Sequence, residues 1–170
     1  MSADVYLGLG GNLGDPPATF RKALELLSAF SKVLKVSKLY RSKPYGFSDQ
    51  PDFYNAAAQI STKLPPLDLL ACLQEAEQKL GKKVIRENGP RVIDLDLLLY
   101  GEETLNLPDL KLPHPGILQR DFVLRPLHDL NPSLTHPLWQ KKTLETALAD
   151  LGESYLLEDS KVLLEPIFLN

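Results

Sequence analysis

The sequence is poor in several features that define whole classes of protein. It has one cysteine, Cys72, so the chain cannot form an internal disulfide, and a lone thiol fits a reducing compartment. Its apolar runs fall well short of the roughly 20 residues that a membrane-spanning helix needs. Its first residues also lack the basic and apolar segments of a secretory signal. We therefore expect a cytoplasmic protein without a membrane partner.

An excess of positive charge is also missing. The chain has 19 lysines and arginines against 22 aspartates and glutamates, which gives a net charge of −3. Nucleic-acid-binding proteins usually present a basic surface, so we expect no nucleic-acid partner, although a local basic site for one nucleotide stays open. The three histidines, His114, His128 and His136, do not have the spacing of zinc ligands. The 170 residues are enough for one compact domain, so we expect a single domain over residues 1–170 that acts as a monomer.

The apolar periodicity predicts the order βαββαβ in the first hundred residues. Strands are predicted at residues 5–10, 33–42, 53–62 and 92–100, and the helices between them begin after Asp15 and after Pro65. This order is typical of an α+β, ferredoxin-like fold, in which an antiparallel sheet carries two helices on one face. The rest of the chain is predicted to form a C-terminal extension, with short helices near residues 119–130 and 142–151 and a late strand near 161–169.

The stretch GPRVIDLDLLLYG, residues 89–101, places two aspartates inside an otherwise apolar strand. Strand alternation predicts that Asp94, Asp96 and Leu98 face one side of the sheet. The opposite side, toward the helices, would receive Ile93, Leu95, Leu97 and Leu99. Neighbouring carboxylates repel each other unless a cation lies between them, and such oxygen ligands suit Mg²⁺ bound together with a substrate's phosphates. The alternative is a solvated strand face that carries two charges.

Basic residues precede these aspartates. Arg91 lies three residues before Asp94, and the loop ahead of it carries Lys82, Lys83 and Arg86. They are either plain counter-ions or the cations that a polyphosphate requires. The glycine-rich GLGGNLG, residues 8–14, resembles a nucleotide-binding turn but lacks the Gly-Lys-Ser/Thr ending of a P-loop, which favours a tight turn between strand and helix.

Four motifs together resemble one family. In chain order they are YLGLGGNLGD, QPDFYNAA, GPRVIDLD and LPHPGILQRDFVLRPL. This combination resembles the 6-hydroxymethyl-7,8-dihydropterin pyrophosphokinases of folate biosynthesis. The resemblance implies an ATP-dependent diphosphotransferase that moves the terminal pyrophosphate of ATP to the hydroxymethyl group of the reduced pterin and releases AMP. It also implies two Mg²⁺ ions that bind with ATP to Asp94 and Asp96.

The resemblance further assigns residues to each substrate. It implies that Asn55 hydrogen-bonds the pterin ring, that Phe53 and Phe122 stack on its two faces, and that Ser42, Pro44 and Tyr45 complete the pocket. Plain core packing is the alternative for the two phenylalanines. The implied ATP contacts are Leu70, Gln74, Glu77, Lys82, Arg91, Leu97, Lys111, His114 and Arg120. The implied catalytic residues are Lys82, Arg91, Asp94 and Asp96.

Three residues depart from the family pattern. Lys82 stands where a catalytic arginine is usual, Asn88 where an aromatic residue commonly covers the site, and Pro115 where an aromatic residue commonly lies beside the nucleotide. Lysine supplies charge without the bidentate fork of arginine. Two other interpretations remain: a palm-type nucleotidyltransferase, which also presents paired strand carboxylates, and a non-enzymatic ferredoxin-like module that binds a small molecule.

Overall fold

The structure, a computed structural model, describes residues 2–83, 87–152, 154–157 and 162–163. Its strands are β1 (Ala3–Gly11), β2 (Lys32–Val36), β3 (Lys38–Ser42), β4 (Phe53–Thr62), β5 (Asp94–Tyr100), β6 (Leu105–Asn106), β7 (Lys111–Leu112) and β8 (Val162–Leu163). Its helices are α1 (Pro16–Leu27), α2 (Pro66–Lys79), α3 (Asp121–Leu130) and α4 (Leu144–Asp150), with a 3₁₀ turn at Pro137–Trp139. Within these ranges, no helix has the length and apolar character to cross a membrane.

The predicted α+β, ferredoxin-like fold is confirmed. Helix α1 begins where the sequence indicates, because the Asp15 side chain accepts a hydrogen bond from the Ala18 amide at 3.2 Å and Pro16 opens the first turn. Helix α2 likewise begins at Pro66. Strand β4 has the predicted bounds. The C-terminal extension contains α3 and α4, near the predicted positions, and β8 lies inside the predicted late strand, the rest of which is outside the described residues.

The main sheet is antiparallel in the order β5-β1-β4-β3-β8, and β2 also pairs with β4. The prediction of one strand over residues 33–42 is wrong, since β2 and β3 are separate. Ser37 divides them: its hydroxyl accepts a hydrogen bond from the Ala57 amide at 2.8 Å and donates one to the Lys38 carbonyl at 2.7 Å. A side chain that takes over backbone partners in this way interrupts the regular ladder.

Each face of the sheet has its own apolar core. Helices α1 and α2 cover one face, where β1 contributes Val5, Leu7 and Leu9 and the helices contribute Phe20, Leu24, Leu69 and Leu73. Helices α3 and α4 cover part of the other face, where the buried residues include Tyr6, Ala57, Leu98, Leu124, Leu127 and Leu144. The C-terminal extension therefore completes the fold by burying the second face of the sheet.

A bulge in β5 corrects the prediction for Leu99. Leu97 lies opposite Leu7 and Leu99 lies opposite Tyr6, so Leu98 is an extra residue between these two pairs. A bulge reverses the side-chain alternation beyond it. Leu99 therefore joins Tyr6 in the core under α3 and α4, rather than facing α1 and α2. Before the bulge, Asp94 and Asp96 lie opposite Gly10 and Gly8 and share one side of the sheet, as predicted.

The end of β1 provides a test of the fold. A Cβ atom on Gly11 would overlap the carbonyl oxygen of Val92, whereas a Cβ atom on Gly10 would have its nearest neighbour, Asn55 Oδ1, at 3.7 Å. We expect Gly11→Ala to lower the free energy of unfolding by about 1–3 kcal/mol, because the backbone must move. Gly10→Ala is the matched control and should change it far less. If urea unfolding shows that both variants lose the same free energy of unfolding, the close contact between Gly11 and Val92 is contradicted.

Candidate active site

The two aspartates lie on the floor of an open pocket. Strands β1, β4 and β5 form the floor, and the pocket has a volume of about 820 Å³ including its open mouth. Gly8 and Gly10 lie beside the aspartates on β1, and both line the pocket. Because glycine has no side chain, the space above Asp94 and Asp96 stays open to a ligand.

Asp94 is the centre of a network of charges. One of its oxygens accepts from Arg91 Nη1 at 2.6 Å, and the other lies 2.7 Å from Lys82 Nζ. Lys82 also lies 2.9 Å from Glu77 Oε2. Burial disfavours the charged ammonium, but the hydrogen bonds and charges of Asp94 and Glu77 outweigh burial and raise the pKa of Lys82. Lys82 is therefore a firmly protonated cation beside the carboxylate pair.

Glu77 supports this network from below. Its side chain is buried, and Oε2 accepts a hydrogen bond from the Leu95 amide at 2.8 Å as well as from Lys82. Glu77 does not line this pocket, although the resemblance implied that it contacts ATP. Its observed contacts instead attach α2 to the aspartate-bearing strand and hold Lys82 in place.

Among the residues that the structure describes, Asp96 has no ion pair like that of Asp94. The protein atoms around its carboxyl, and the like charges of Asp94 and Glu77, raise the pKa of Asp96. Part of the side chain is exposed to water, which screens these charges. A carboxylate in this electrostatic environment would be stabilised by an added cation.

Arg91 is held from three directions. Its Nε and Nη2 atoms donate to the Gly89 carbonyl at 2.9 and 2.8 Å, and its guanidinium lies 4.9 Å from the centre of the Phe53 ring. Its backbone amide donates to Asn12 Oδ1 at 3.0 Å, while its carbonyl accepts from the Asn12 amide at the same distance. Within the glycine-rich stretch, the contacts of Asn12 are therefore structural, since they fix the backbone of Arg91.

Five of the six residues implied for the pterin line this first pocket. They are Ser42, Tyr45, Phe53, Asn55 and Phe122. Pro44, the sixth, does not line it. Asn55 is buried and its Nδ2 donates to Ser42 Oγ at 2.8 Å, which leaves the amide oxygen of Asn55 as an acceptor. Phe122 and Tyr45 pack against each other with ring centres 6.0 Å apart. The side chains provide aromatic surfaces and one amide within a single cavity.

A second pocket adjoins the first. Asp96 and His114 line both pockets, and Leu70, Leu97 and Lys111 line only the second. The shared residues indicate that two ligands could meet above Asp96. Of the other residues implied for ATP, Arg120 and Arg91 line the first pocket, whereas Gln74 is exposed on α2 and lines neither.

His114 is suited to be a neutral donor between the pockets. Burial and the positive charge of Arg120 lower the pKa of its imidazole. Its Nδ1 accepts a hydrogen bond from the Gly116 amide at 3.1 Å, so the proton of the neutral ring is assigned to Nε2. A peptide bond in the cis form joins Leu112 to Pro113 just before this residue.

Sequence reasoning missed the role of Gln50, which connects three loops around the site. Its Nε2 donates to the Phe47 carbonyl at 2.6 Å and the Asn88 carbonyl at 2.7 Å, while its Oε1 accepts from Asn12 Nδ2 at 3.0 Å. Asn88, which also lines the first pocket, has a φ of 55°, a conformation that asparagine adopts more easily than an aromatic residue. Only the position of Gln50 in the QPD motif could have suggested this role.

The carboxylate pair fits Mg²⁺ in combination with phosphate. In the part of the chain that the structure describes, no group of three or more acidic, histidine or cysteine side chains could hold a metal by itself. Mg²⁺ is commonly bound by one or two carboxylates together with substrate phosphates and water. Asp94 and Asp96 are the appropriate oxygen donors, and they lie two residues apart on one side of β5, opposite Gly10 and Gly8.

Comparison with known proteins identifies the family. The family model described as 7,8-dihydro-6-hydroxymethylpterin-pyrophosphokinase (HPPK) matches residues 6–132. A 2-amino-4-hydroxy-6-hydroxymethyldihydropteridine pyrophosphokinase of Aquifex aeolicus is 41% identical, and the match covers 84% of this chain and 89% of that protein. The Pseudomonas aeruginosa protein of the same name is 45% identical, with 81% and 86% covered. The chain belongs to the HPPK family.

Some relatives are much longer than this chain. The "Folic acid synthesis protein fol1" of Pneumocystis carinii is 47% identical, and the match covers 79% of this chain but 18% of that protein. Among solved structures, a Plasmodium falciparum HPPK-DHPS triple mutant matches with a TM-score of 0.73 at 16% identity, covering 88% of this chain and 43% of that one. At this identity the structural likeness supports the fold alone.

The support under the site gives a second prediction. Glu77→Ala leaves the buried Leu95 amide without its acceptor, so we expect the free energy of unfolding to fall by about 1–3 kcal/mol. Glu75→Ala is the matched control on the same helix, because the ion pair of Glu75 with Lys79 is exposed to solvent and its loss should cost less than about 0.5 kcal/mol. Similar losses for both variants in chemical denaturation would show that Glu77 does not support β5.

Proposed function

We propose that this chain transfers the pyrophosphate of ATP to 6-hydroxymethyl-7,8-dihydropterin, giving AMP and the pterin diphosphate. The observation that carries the proposal is the meeting of two pockets above one carboxylate pair, with Asp96 and His114 common to both. Transfer between two bound substrates requires their reacting atoms to be held together, and adjoining pockets provide this. Membership of the HPPK family supports the same reaction.

The first pocket would hold the pterin. Asn55 offers an amide oxygen in a buried position, which suits a heterocycle with polar edges, and Ser42 holds that amide by accepting its hydrogen bond. Phe53 and Phe122 would pack on the faces of the ring, with Tyr45 beside Phe122. Pro44 would contribute only through its backbone.

The second pocket would hold the nucleoside of ATP. Leu70 and Leu97 supply apolar surface for the base, and Lys111 and His114 supply donors at its edges. The triphosphate would then extend toward Asp96 and toward Arg91 and Arg120, which line the first pocket, with Lys82 behind Asp94 at 2.7 Å. Gln74 and Glu77 would contribute little direct contact in this arrangement, since both lie outside the described pockets.

Catalysis would depend on charge and position. Asp94 and Asp96 would hold two Mg²⁺ ions with the triphosphate, and these ions would supply neutralising charge at the phosphates. Lys82 and Arg91, already at 2.7 and 2.6 Å from Asp94, would balance negative charge on the transferred group. Phosphoryl transfer needs mainly positioning and charge stabilisation from the protein, and this site provides both.

The direct test supplies the protein with ATP, Mg²⁺ and the reduced hydroxymethylpterin, and separates the products by chromatography. The proposal expects AMP and pterin diphosphate in equal amounts. A palm-type nucleotidyltransferase would instead release pyrophosphate from a nucleotide in the presence of an acceptor strand. A binding module would retain the ligands without turnover. Location in the cytoplasm and the monomeric state stay predictions.

The carboxylate pair provides a prediction for catalysis. We expect Asp96→Asn to lower kcat at least about 100-fold, because a neutral amide is a poor partner for Mg²⁺ beside the triphosphate. The melting temperature should change little, since Asp96 is exposed and lies outside both apolar cores. Asp4→Asn is the matched control and should keep full activity, because it changes an exposed carboxylate on β1 that lines neither pocket. Wild-type turnover by Asp96→Asn would exclude the metal role.

The pterin side provides a separate prediction. Asn55→Ala should weaken pterin binding by about 1–3 kcal/mol, because the ring would lose its buried amide partner. Binding of a nonhydrolysable ATP analogue should stay within twofold of wild type. Gln59→Ala, four residues further along β4 and outside both pockets, is the control. Calorimetry that finds equal losses for both ligands would indicate that Asn55 supports the fold instead.

A further inference from the structure

The segment Ser154–Leu157, which we name the C-terminal clasp, lies against the end of β3. The Lys43 amide donates to the Tyr155 carbonyl at 2.7 Å, and the Leu157 amide donates to the Arg41 carbonyl at 2.9 Å. Leu156 pairs with Ser42 in an antiparallel bridge. Ser42 is the residue that accepts the hydrogen bond of Asn55 in the first pocket. The clasp is therefore attached to the backbone that forms one side of this pocket.

A buried carboxylate on α3 also holds the clasp. Asp121 Oδ2 accepts hydrogen bonds from Ser154 Oγ at 2.8 Å, the Tyr155 amide at 2.9 Å and the Leu156 amide at 3.2 Å. Asp121 is the first residue of α3 and is only 6% exposed. Burying a carboxylate costs free energy unless hydrogen bonds compensate for the lost water. Here three donors to one charged oxygen provide that compensation, and the clasp supplies all three. Phe122, which lines the pocket, is the next residue along the chain.

The clasp also brings a third ring to the aromatic side of the pocket. The ring centre of Tyr155 lies 5.6 Å from that of Tyr45 and 5.9 Å from that of Phe122, and these two are 6.0 Å apart. The three rings therefore form a closed triangle. Tyr45 and Phe122 line the pocket, and Tyr155 packs behind both. Ring pairs at such distances attract each other and restrict each other's orientation.

We propose that the C-terminal clasp is part of the pterin site: Tyr155 fixes the orientation of Tyr45 and Phe122, and Asp121 is the positioning residue that holds the clasp. This proposal rests on the assignment of the first pocket to the pterin. It makes the affinity for the pterin depend on residues near the end of the chain that do not line the pocket. The affinity for ATP should depend on the clasp less, because the clasp contacts no residue of the second pocket in its described interactions and reaches Arg120 through the Tyr45 ring, 4.6 Å from that guanidinium.

The test of Tyr155 compares affinities for the two ligands by calorimetry. We expect Tyr155→Ala to raise the Kd of the reduced hydroxymethylpterin about 10-fold, through the loss of two ring contacts, and to raise the Kd of a nonhydrolysable ATP analogue less than about threefold, through the contact of Arg120 with Tyr45. Tyr155→Phe keeps the ring and should bind the pterin like wild type. An unchanged pterin Kd in Tyr155→Ala, or equal losses for both ligands, would overturn the proposal.

The test of Asp121 adds a readout of the clasp itself. Asp121→Ala should raise the KM for the pterin with little change in kcat, and should speed hydrogen exchange at residues 154–157. Asp121→Asn retains an acceptor oxygen and should recover most of the wild-type KM. Since both residues act through the clasp, Asp121→Ala combined with Tyr155→Ala should cost no more than the larger single loss.

Three results would decide against this account. Additive losses in the double variant, or faster exchange without any change in pterin KM, would show that the clasp only stabilises the fold. Failure of the wild-type protein to bind the pterin at all would instead overturn the proposed function, and the assignment of the clasp with it. The two failures can be distinguished, because binding of the pterin to the wild-type protein is measured before any variant is made.

Discussion

The candidate site depends on two carboxylates that lie side by side on one strand. Asp94 is neutralised by Lys82 and Arg91 at hydrogen-bonding distance, and Lys82 is in turn held by Glu77 beneath the strand. Asp96 has no such ion pair within the described part of the chain, and its surroundings and the like charges near it raise the pKa of its carboxyl. The protein therefore pairs Asp94 with its own cations, whereas Asp96 faces the open pocket. In the proposed reaction, this unbalanced charge is what would draw Mg²⁺ and a triphosphate to the site.

The surrounding fold serves this arrangement. The apolar residues of β5 anchor the strand in two cores, one under α1 and α2 and one under α3 and α4, while glycines on β1 keep the space above the aspartates open. Loops that cross the site are connected by Gln50 and Asn12, and Asn12 also fixes the backbone of Arg91. The positions of the charged groups are thus set by backbone contacts on several elements, as a preorganised site requires.

Most of the fold could be predicted from the sequence because its signals are local. Asp15 and the prolines after it mark the start of α1, and apolar periodicity locates β4 and α2. The division of residues 33–42 into two strands and the reversal of Leu99 could not be predicted. They depend on the hydroxyl of Ser37 and on the register between β1 and β5, which only the assembled sheet determines.

In the candidate site, too, local sequence patterns predict some features and only the folded structure shows the others. The spacing of Asp94 and Asp96 indicates their common face, and the motifs of the family bring in Asn55, Phe53 and Phe122, all of which line one pocket. Contacts between residues far apart in the sequence could not be predicted. The attachment of Glu77 to Leu95 is one such contact, and the bonds of Asp121 to the clasp are another. No periodicity or motif connects residues that meet only through tertiary packing.

The central claim is that two ligands meet above Asp96, one in each pocket. A crystal structure with Mg²⁺, a nonhydrolysable ATP analogue and the reduced hydroxymethylpterin tests it most directly. The account predicts the pterin against Asn55 in the first pocket, the adenine beside Leu70 and Leu97 in the second, and the phosphates over Asp94 and Asp96. A pterin outside the first pocket, or phosphates bound away from the two aspartates, would contradict it.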